Sequence, residues 1–167
     1  MVRNGLMPAI PALRYQAGLE LDGGVEASTF ARLRTIPTGS EHLPVRRTDF
    51  HVLSITGSGQ GAATVDFVRH HPEPGTIAWI RPGRVHRWDD IAGADGTLVL
   101  FRPESVPHGS PGAGSLGPAT WRQPESPVLV RLAPGHLRRE HDAARARPSC
   151  DFAAKMAATL HLAGRAA

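Results

Sequence analysis

The sequence predicts a mainly β domain, short strands joined by tight turns and rolled into a sandwich or barrel, followed by two α-helices at the C-terminal end. Three observations carry this. The 18 glycines and 15 prolines cluster between short apolar runs, as turns between strands require. Pro74-Gly75 and Pro82-Gly83 bracket one run of strand character, Thr76 to Pro82, after which Val85 to Trp88 puts His86 and Trp88 on one face. Beyond Pro134 the strand pattern gives way to charged and alanine-rich helical patterns.

A chain of 167 residues with 41% hydrophobic content suits one globular domain with a real core. Its net charge of +4 is too mild to argue for nucleic-acid binding, and Lys155 is the sole lysine among its basic residues. A single cysteine, Cys150, excludes an internal disulfide and a Cys-rich zinc site, and no basic neighbour marks it as reactive. The N-terminus carries Arg3 without an apolar core of signal-peptide length, and no stretch is apolar enough to span a bilayer. The expectation is a soluble, cytoplasmic protein without a membrane partner.

In chain order, residues 1–24 read as an arm, residues 25–132 as the β body and residues 133–167 as a helical segment. Glu26 to Ile36 is predicted as the first strand of the body and Pro37 to Pro44 as a loop. Asp49 to Thr56 reads as a buried strand that turns at Gly57-Ser58-Gly59-Gln60-Gly61, with Ala62 to Val68 returning as its hairpin partner. In that partner Val65 and Phe67 share one face, Thr64 and Asp66 the other. His70-His71-Pro72-Glu73-Pro74 leads as a solvated connection into the run at Thr76, Asp89 to Gly96 is a polar loop, and Thr97 to Phe101 is a further strand. Hairpin following hairpin at this spacing reads as a rolled meander. Pro107 to Pro124 is a Gly-, Ser- and Pro-rich linker, and Pro127 to Leu132 adds one more strand. A helix from Gly135 to Arg147 ends at Pro148, and a second, Phe152 to Arg165, carries a stripe of Phe152, Met156, Leu160 and Ala163. That stripe covers the β body or joins two copies of the chain; the second reading makes Phe152, Met156 and Leu160 a dimer interface.

The span from Arg47 to Pro103 carries further marks: Arg-Thr-Asp-Phe-His, the Gly-Ser-Gly-Gln-Gly turn, Pro-Gly-Thr, Arg-Pro-Gly-Arg-Val-His-Arg-Trp and Leu-Phe-Arg-Pro. Together they resemble the N-terminal cupin-type sensor domain of AraC-family transcription regulators, over about a third of the chain. The resemblance implies a cupin double-stranded β-helix, a jelly-roll barrel whose interior takes a small-molecule effector. The C-terminal pair resembles the dimerisation helices that follow it. No helix-turn-helix pattern stands in these residues, so the expectation is a sensing and dimerising module without direct nucleic-acid contact. Its partners would be a second copy or, as a heterodimer, a full-length regulator.

The predicted effector-binding residues are His51, Trp79, Arg81, His86 and Trp88. His86 either bonds a loop carbonyl at its strand end or donates to a polar effector, and Trp88, sharing its face, is the better of the two tryptophans for stacking. Arg81 and Arg87 read as paired with acids or solvated. Cupin enzymes hold a metal through an early His-x-His pair, a glutamate and a later histidine. Here the early pair falls on Arg46 and Thr48, and no glutamate follows. No metal, cofactor or catalytic residue is therefore expected. The alternative is a cupin enzyme or isomerase with a degenerate site, for which His51 and His86 are the nameable ligands. No nucleophile motif or phosphate loop appears, since the Gly57-x-Gly59-x-Gly61 spacing joins two strands.

Overall fold

The computed structural model of the chain describes residues 10–13, 24–35, 44–105 and 129–131. Ten strands are described: β1 (Ala12–Leu13), β2 (Val25–Thr29), β3 (Arg46–Thr48), β4 (His51–Gly59), β5 (Ala62–Val65), β6 (Val68–His70), β7 (Thr76–Ile80), β8 (Val85–Asp90), β9 (Ala94–Phe101) and β10 (Leu129–Arg131). They form two five-stranded sheets, one ordered β1-β3-β8-β5-β6 and the other β10-β7-β4-β9-β2. Every pairing is antiparallel except β1 with β3. The fold is thus mainly β, as the glycine and proline spacing predicts, and is consistent with a cupin-like sandwich. The two predicted C-terminal helices, with Phe152, Met156 and Leu160, lie outside the described residues, as does the Pro107 to Pro124 linker.

Strand order corrects the meander. Consecutive strands β3, β4 and β5 alternate between the sheets, as do β6, β7, β8 and β9; the one described hairpin is β5 with β6. The glycine-rich turn after β4 therefore does not return the chain alongside itself. β4 pairs with β7 and β9, while β5 crosses to the other sheet and pairs with β8. The crossing is tight: Gly59 has φ +73°, and a Cβ there would stand 1.7 Å from the carbonyl oxygen of Gly93 in the turn between β8 and β9.

Both Pro-Gly pairs act as the sequence predicts. Thr76 N–H donates to the carbonyl of Glu73 at 3.0 Å, and Arg84 N–H to that of Arg81 at 3.2 Å. Gly75 and Gly83 take φ of 94° and 85°. Proline second and a left-handed glycine third is the signature of a type II turn. Gly83 N–H also donates to the Thr48 carbonyl at 2.8 Å, pinning the β7–β8 corner to the end of β3.

Other elements differ from their expectations for local reasons. The first strand ends at Thr29, whose hydroxyl accepts from Arg32 N–H at 3.1 Å and caps a short helix, α1 (Phe30–Arg34). Phe30 thereby enters the core, and Arg34 reaches the carbonyls of Ile91 and Ala94. The predicted loop from Asp89 to Gly96 shrinks to Ile91–Gly93, because β8 runs on to Asp90 and β9 starts at Ala94. Part of the N-terminal arm is a strand, since β1 pairs with β3 and Arg47 N–H donates to the Pro11 carbonyl at 2.9 Å. The strand expected around Leu129 is present and pairs with β7.

Phe67 is not on a buried face with Val65. The chain reverses at Asp66-Phe67, Val65 pairs with Val68, and the two turn residues take φ of 46° and 70°. Positive φ at both central positions marks a primed two-residue hairpin, which favours Asn-Gly or Asp-Gly. A phenylalanine there is strained, and it is 84% exposed. Asp66 braces the turn, accepting from Val85 N–H at 3.0 Å and pairing with Arg84 at 3.3 Å.

Phe67→Gly should therefore raise unfolding stability in urea by about 1 kcal/mol, the approximate cost of left-handed backbone at a residue bearing Cβ. Gly59→Ala should lower it by about 1–3 kcal/mol through strain and the clash with Gly93. A destabilising Phe67→Gly would show that the exposed ring holds something in place.

Candidate functional site

Between the sheets lies a core of Phe30, Phe50, Val52, Ala63, Val65, Ile80, Trp88, Ala94 and Leu98. Because strand side chains alternate between faces, the core members of each strand identify its inward positions. On β4 these are Val52, Ser54 and Thr56. Ser54 sits between Ala78 of β7 and Leu98 of β9, and Thr56 opposite Gly96. On β8 they are His86 and Trp88, with Arg46 of β3 and Val65 of β5 flanking His86 in one row. Phe30 closes on this row, its ring meeting Trp88 edge-on at 5.6 Å.

The polar groups of this interior are few. Ser54 and Thr56 are at most 1% exposed, and neither Ser54 Oγ nor Thr56 Oγ1 has a hydrogen-bond partner among the described residues. Each such hydroxyl costs about 1–3 kcal/mol, which makes the pair conspicuous. His86 is buried with its Nδ1 3.5 Å from the Arg84 carbonyl, the strand-end contact considered from sequence, at the limit of hydrogen-bond length. Burial lowers its pKa to about 4, with the Arg46 charge adding and the Arg84 carbonyl and Asp66 opposing. The ring is thus neutral at physiological pH, with one nitrogen a donor and the other an acceptor. Thr48, also buried, spends its hydroxyl on the Phe50 carbonyl at 3.0 Å.

The other three predicted residues are buried on the opposite face of the second sheet. His51 shares its side of β4 with Leu53, and Leu53 faces Trp79 across the β4–β7 ladder. Trp79 Nε1–H donates to His51 Nδ1 at 3.1 Å, which leaves the proton of the neutral imidazole on Nε2. The His51 ring stacks on Phe101 at 4.8 Å, and the Arg81 guanidinium lies 4.3 Å over the Trp79 ring. Arg81 is therefore not solvated, and burial draws its pKa down to about 10. Burial, then Arg81, lowers His51 to about 3. Arg87 does pair with an acid, Asp89.

The structure thus brings His86 and Trp88 together between the sheets and gathers His51, Trp79 and Arg81 elsewhere. A two-histidine site from His51 and His86 does not form. Arg46, in the His86 row, is cationic and cannot ligate a metal. Among the described residues no three His, Cys, Asp or Glu side chains gather to hold an ion. Sequence reasoning missed Ser54, Thr56 and Arg46. The signal was there for the hydroxyls: in Phe50 to Thr56 apolar residues occupy both parities, so both faces are buried, and hydroxyls two apart must share one of them.

Both histidines have depressed pKa values, so between pH 6.5 and about 5 the unfolded chain takes up protons that the folded chain refuses. Their stabilising contribution is complete above pH 6.5 and is lost as the pH falls, at up to about 1.4 kcal/mol per pH unit for each ring. Urea unfolding at the two ends of that window should show the loss, and His86→Asn should lessen it; a flat profile would contradict the burial of these rings.

Three comparisons bear on this geometry. No curated protein matches the chain. Among solved structures, the putative glyoxylate induced protein from Pseudomonas aeruginosa is 18% identical over 38% of this chain and 24% of that one, at a TM-score of 0.31. The chain therefore spans about a quarter of that protein, and a likeness so slight carries no argument. The family model for the AraC-like ligand binding domain matches residues 29–154. That match takes in α1 and every strand from β3 to β10, hence both walls of the interior that holds His86, Ser54 and Thr56, and the chain belongs to the AraC-like ligand binding domain family.

Proposed function

We propose that this chain senses a small-molecule effector for AraC-type transcriptional regulation, and that the effector is held between the two sheets against His86, Trp88, Ser54 and Thr56. The observation that carries this is the pair of buried β4 hydroxyls without partners among the described residues, on the same inter-sheet face as a neutral histidine. Buried polar groups are normally satisfied, and a ligand bearing hydrogen-bonding groups supplies what the protein does not. Ala78 stands beside Ser54, and Gly96 beside Thr56, where the Phe30 ring closes over the glycine, a Cβ there standing 3.1 Å from its edge.

On this reading the protein binds and does not catalyse, since the interior offers hydroxyls, one imidazole and one guanidinium where cupin enzymes present a metal-ligand set. The His51, Trp79 and Arg81 cluster is a packed polar layer of the sheet, and its role is to hold β4 and β7 in register. A binding module acts on transcription through partners, so the Phe152, Met156 and Leu160 stripe joins two copies, or one copy to a full-length regulator, in the cytoplasm. No described helix is long and apolar enough to cross a membrane.

Two outcomes follow. Thr56→Val removes an unsatisfied hydroxyl at nearly constant shape, so it should leave the ligand-free protein as stable or more stable by about 1 kcal/mol. Ser54→Ala with Thr56→Val should abolish the rise in Tm that an effector gives the natural chain in a thermal-shift screen of small polar compounds. Trp79→Phe should keep that rise; a rise surviving the double substitution would place the effector elsewhere. Sedimentation should give twice the chain mass at micromolar concentration, and a monomer there would remove the homodimer.

A further inference from the structure

We infer that the effector is a small hydroxy carboxylic acid, its carboxylate held by Arg46, its hydroxyl by His86, and its remaining polar groups by Ser54 and Thr56. The inference rests on the interior being the effector chamber and adds the chemical class of what enters it.

Arg46 is the first observation. It is half-buried on β3, and its row partner on β8 is His86. The described ion pairs are Arg84 with Asp66 and Arg87 with Asp89. Neither reaches Arg46, whose one described hydrogen bond is a long one, 3.4 Å, from Nε to the Pro44 carbonyl. Burial works against its charge, and among the described residues no acid is paired with it. A guanidinium carries a planar fork of donors, which matches a carboxylate.

His86 supplies the second. With Nδ1–H turned toward the Arg84 carbonyl, Nε2 is left as an acceptor, and an acceptor does not bind a carboxylate; it takes a hydroxyl proton. Burial, with the Arg46 charge adding to it, keeps the ring neutral and so preserves that acceptor. An anion-binding cation next to an acceptor asks for one molecule carrying an anion and a nearby hydroxyl. Ser54 and Thr56, each able to donate and accept, suit a further hydroxyl or carbonyl. The nearest carboxylate to His86 in its electrostatics, Asp66, is already bonded to Val85 N–H and paired with Arg84, so an ammonium group finds no free counter-charge there.

The test uses the full chain and a panel of glycolate, lactate, glycerate and gluconate, each beside its primary amide, read by thermal shift and by titration calorimetry. At least one acid should bind, its amide should bind at least about tenfold more weakly, and Arg46→Met, folded by circular dichroism, should lose about tenfold or more for the acid, with Arg46→Lys intermediate. Should Arg46→Met fail to fold, the acid-to-amide ratio on the natural chain decides. If amides bind as tightly as acids and are lost only on Ser54→Ala with Thr56→Val, the chamber stands and the anion falls. If no acid binds, the assignment is overturned. If acids bind regardless of Ser54 and Thr56, the chamber itself is misplaced.

Discussion

The two-sided burial of β4 is the constraint from which the rest of the molecule follows. This strand lies at the centre of its sheet, bonded to β7 on one side and β9 on the other, so neither edge is free, and residues 51–56 are buried on both faces. Strand geometry then sorts its side chains without further choice: His51, Leu53 and Ile55 to one layer, Val52, Ser54 and Thr56 to the other. A one-residue slip would exchange the layers, placing the His51 ring between the sheets and the two hydroxyls outside. The Trp79 to His51 hydrogen bond and the His51 to Phe101 stack oppose that slip, because each joins β4 to a different neighbour.

Around this strand the corners are held by main-chain bonds more than by side-chain mass. Gly83 N–H ties the β7–β8 turn to Thr48, Gly75 N–H ties the preceding turn to Thr56 at 3.1 Å, and Asp66 grips the first residue of β8. These contacts fix where β8 begins, and therefore which way His86 and Trp88 point. Arg34 does the same for the β8–β9 turn from the end of α1, the helix that lays Phe30 against Trp88. The interior is thus bounded by short, well-tied connections, the condition under which a binding wall keeps its shape.

What was legible in the sequence was local. Pro-Gly at 74–75 and 82–83 dictates type II turns, and His86 and Trp88, two apart on one strand, must share a face. What was not legible depends on pairing. Glycines at 57, 59 and 61 announce a turn but cannot say whether the chain returns beside β4 or crosses to the other sheet. His51 looks like a natural companion of His86 until register shows them on different layers. Ser54 and Thr56 carry no motif, because a hydroxyl on an apolar strand becomes informative only when nothing else bonds it. Arg46 stands in the sequence where cupin enzymes have a metal-ligating histidine, and its position in the His86 row emerges only from the β3–β8 register.

This AraC-like ligand binding domain is a sandwich whose nearly apolar interior holds a few polar groups. The central claim is that the effector lies between the sheets. Amide and side-chain NMR shifts, recorded on the full chain as it is titrated with the first compound found to raise its Tm, test this most directly. The account predicts the largest changes at Ser54, Thr56, His86 and the Trp88 indole. Changes concentrated instead at His51, Trp79 and Arg81, with the inter-sheet residues unmoved, would contradict it.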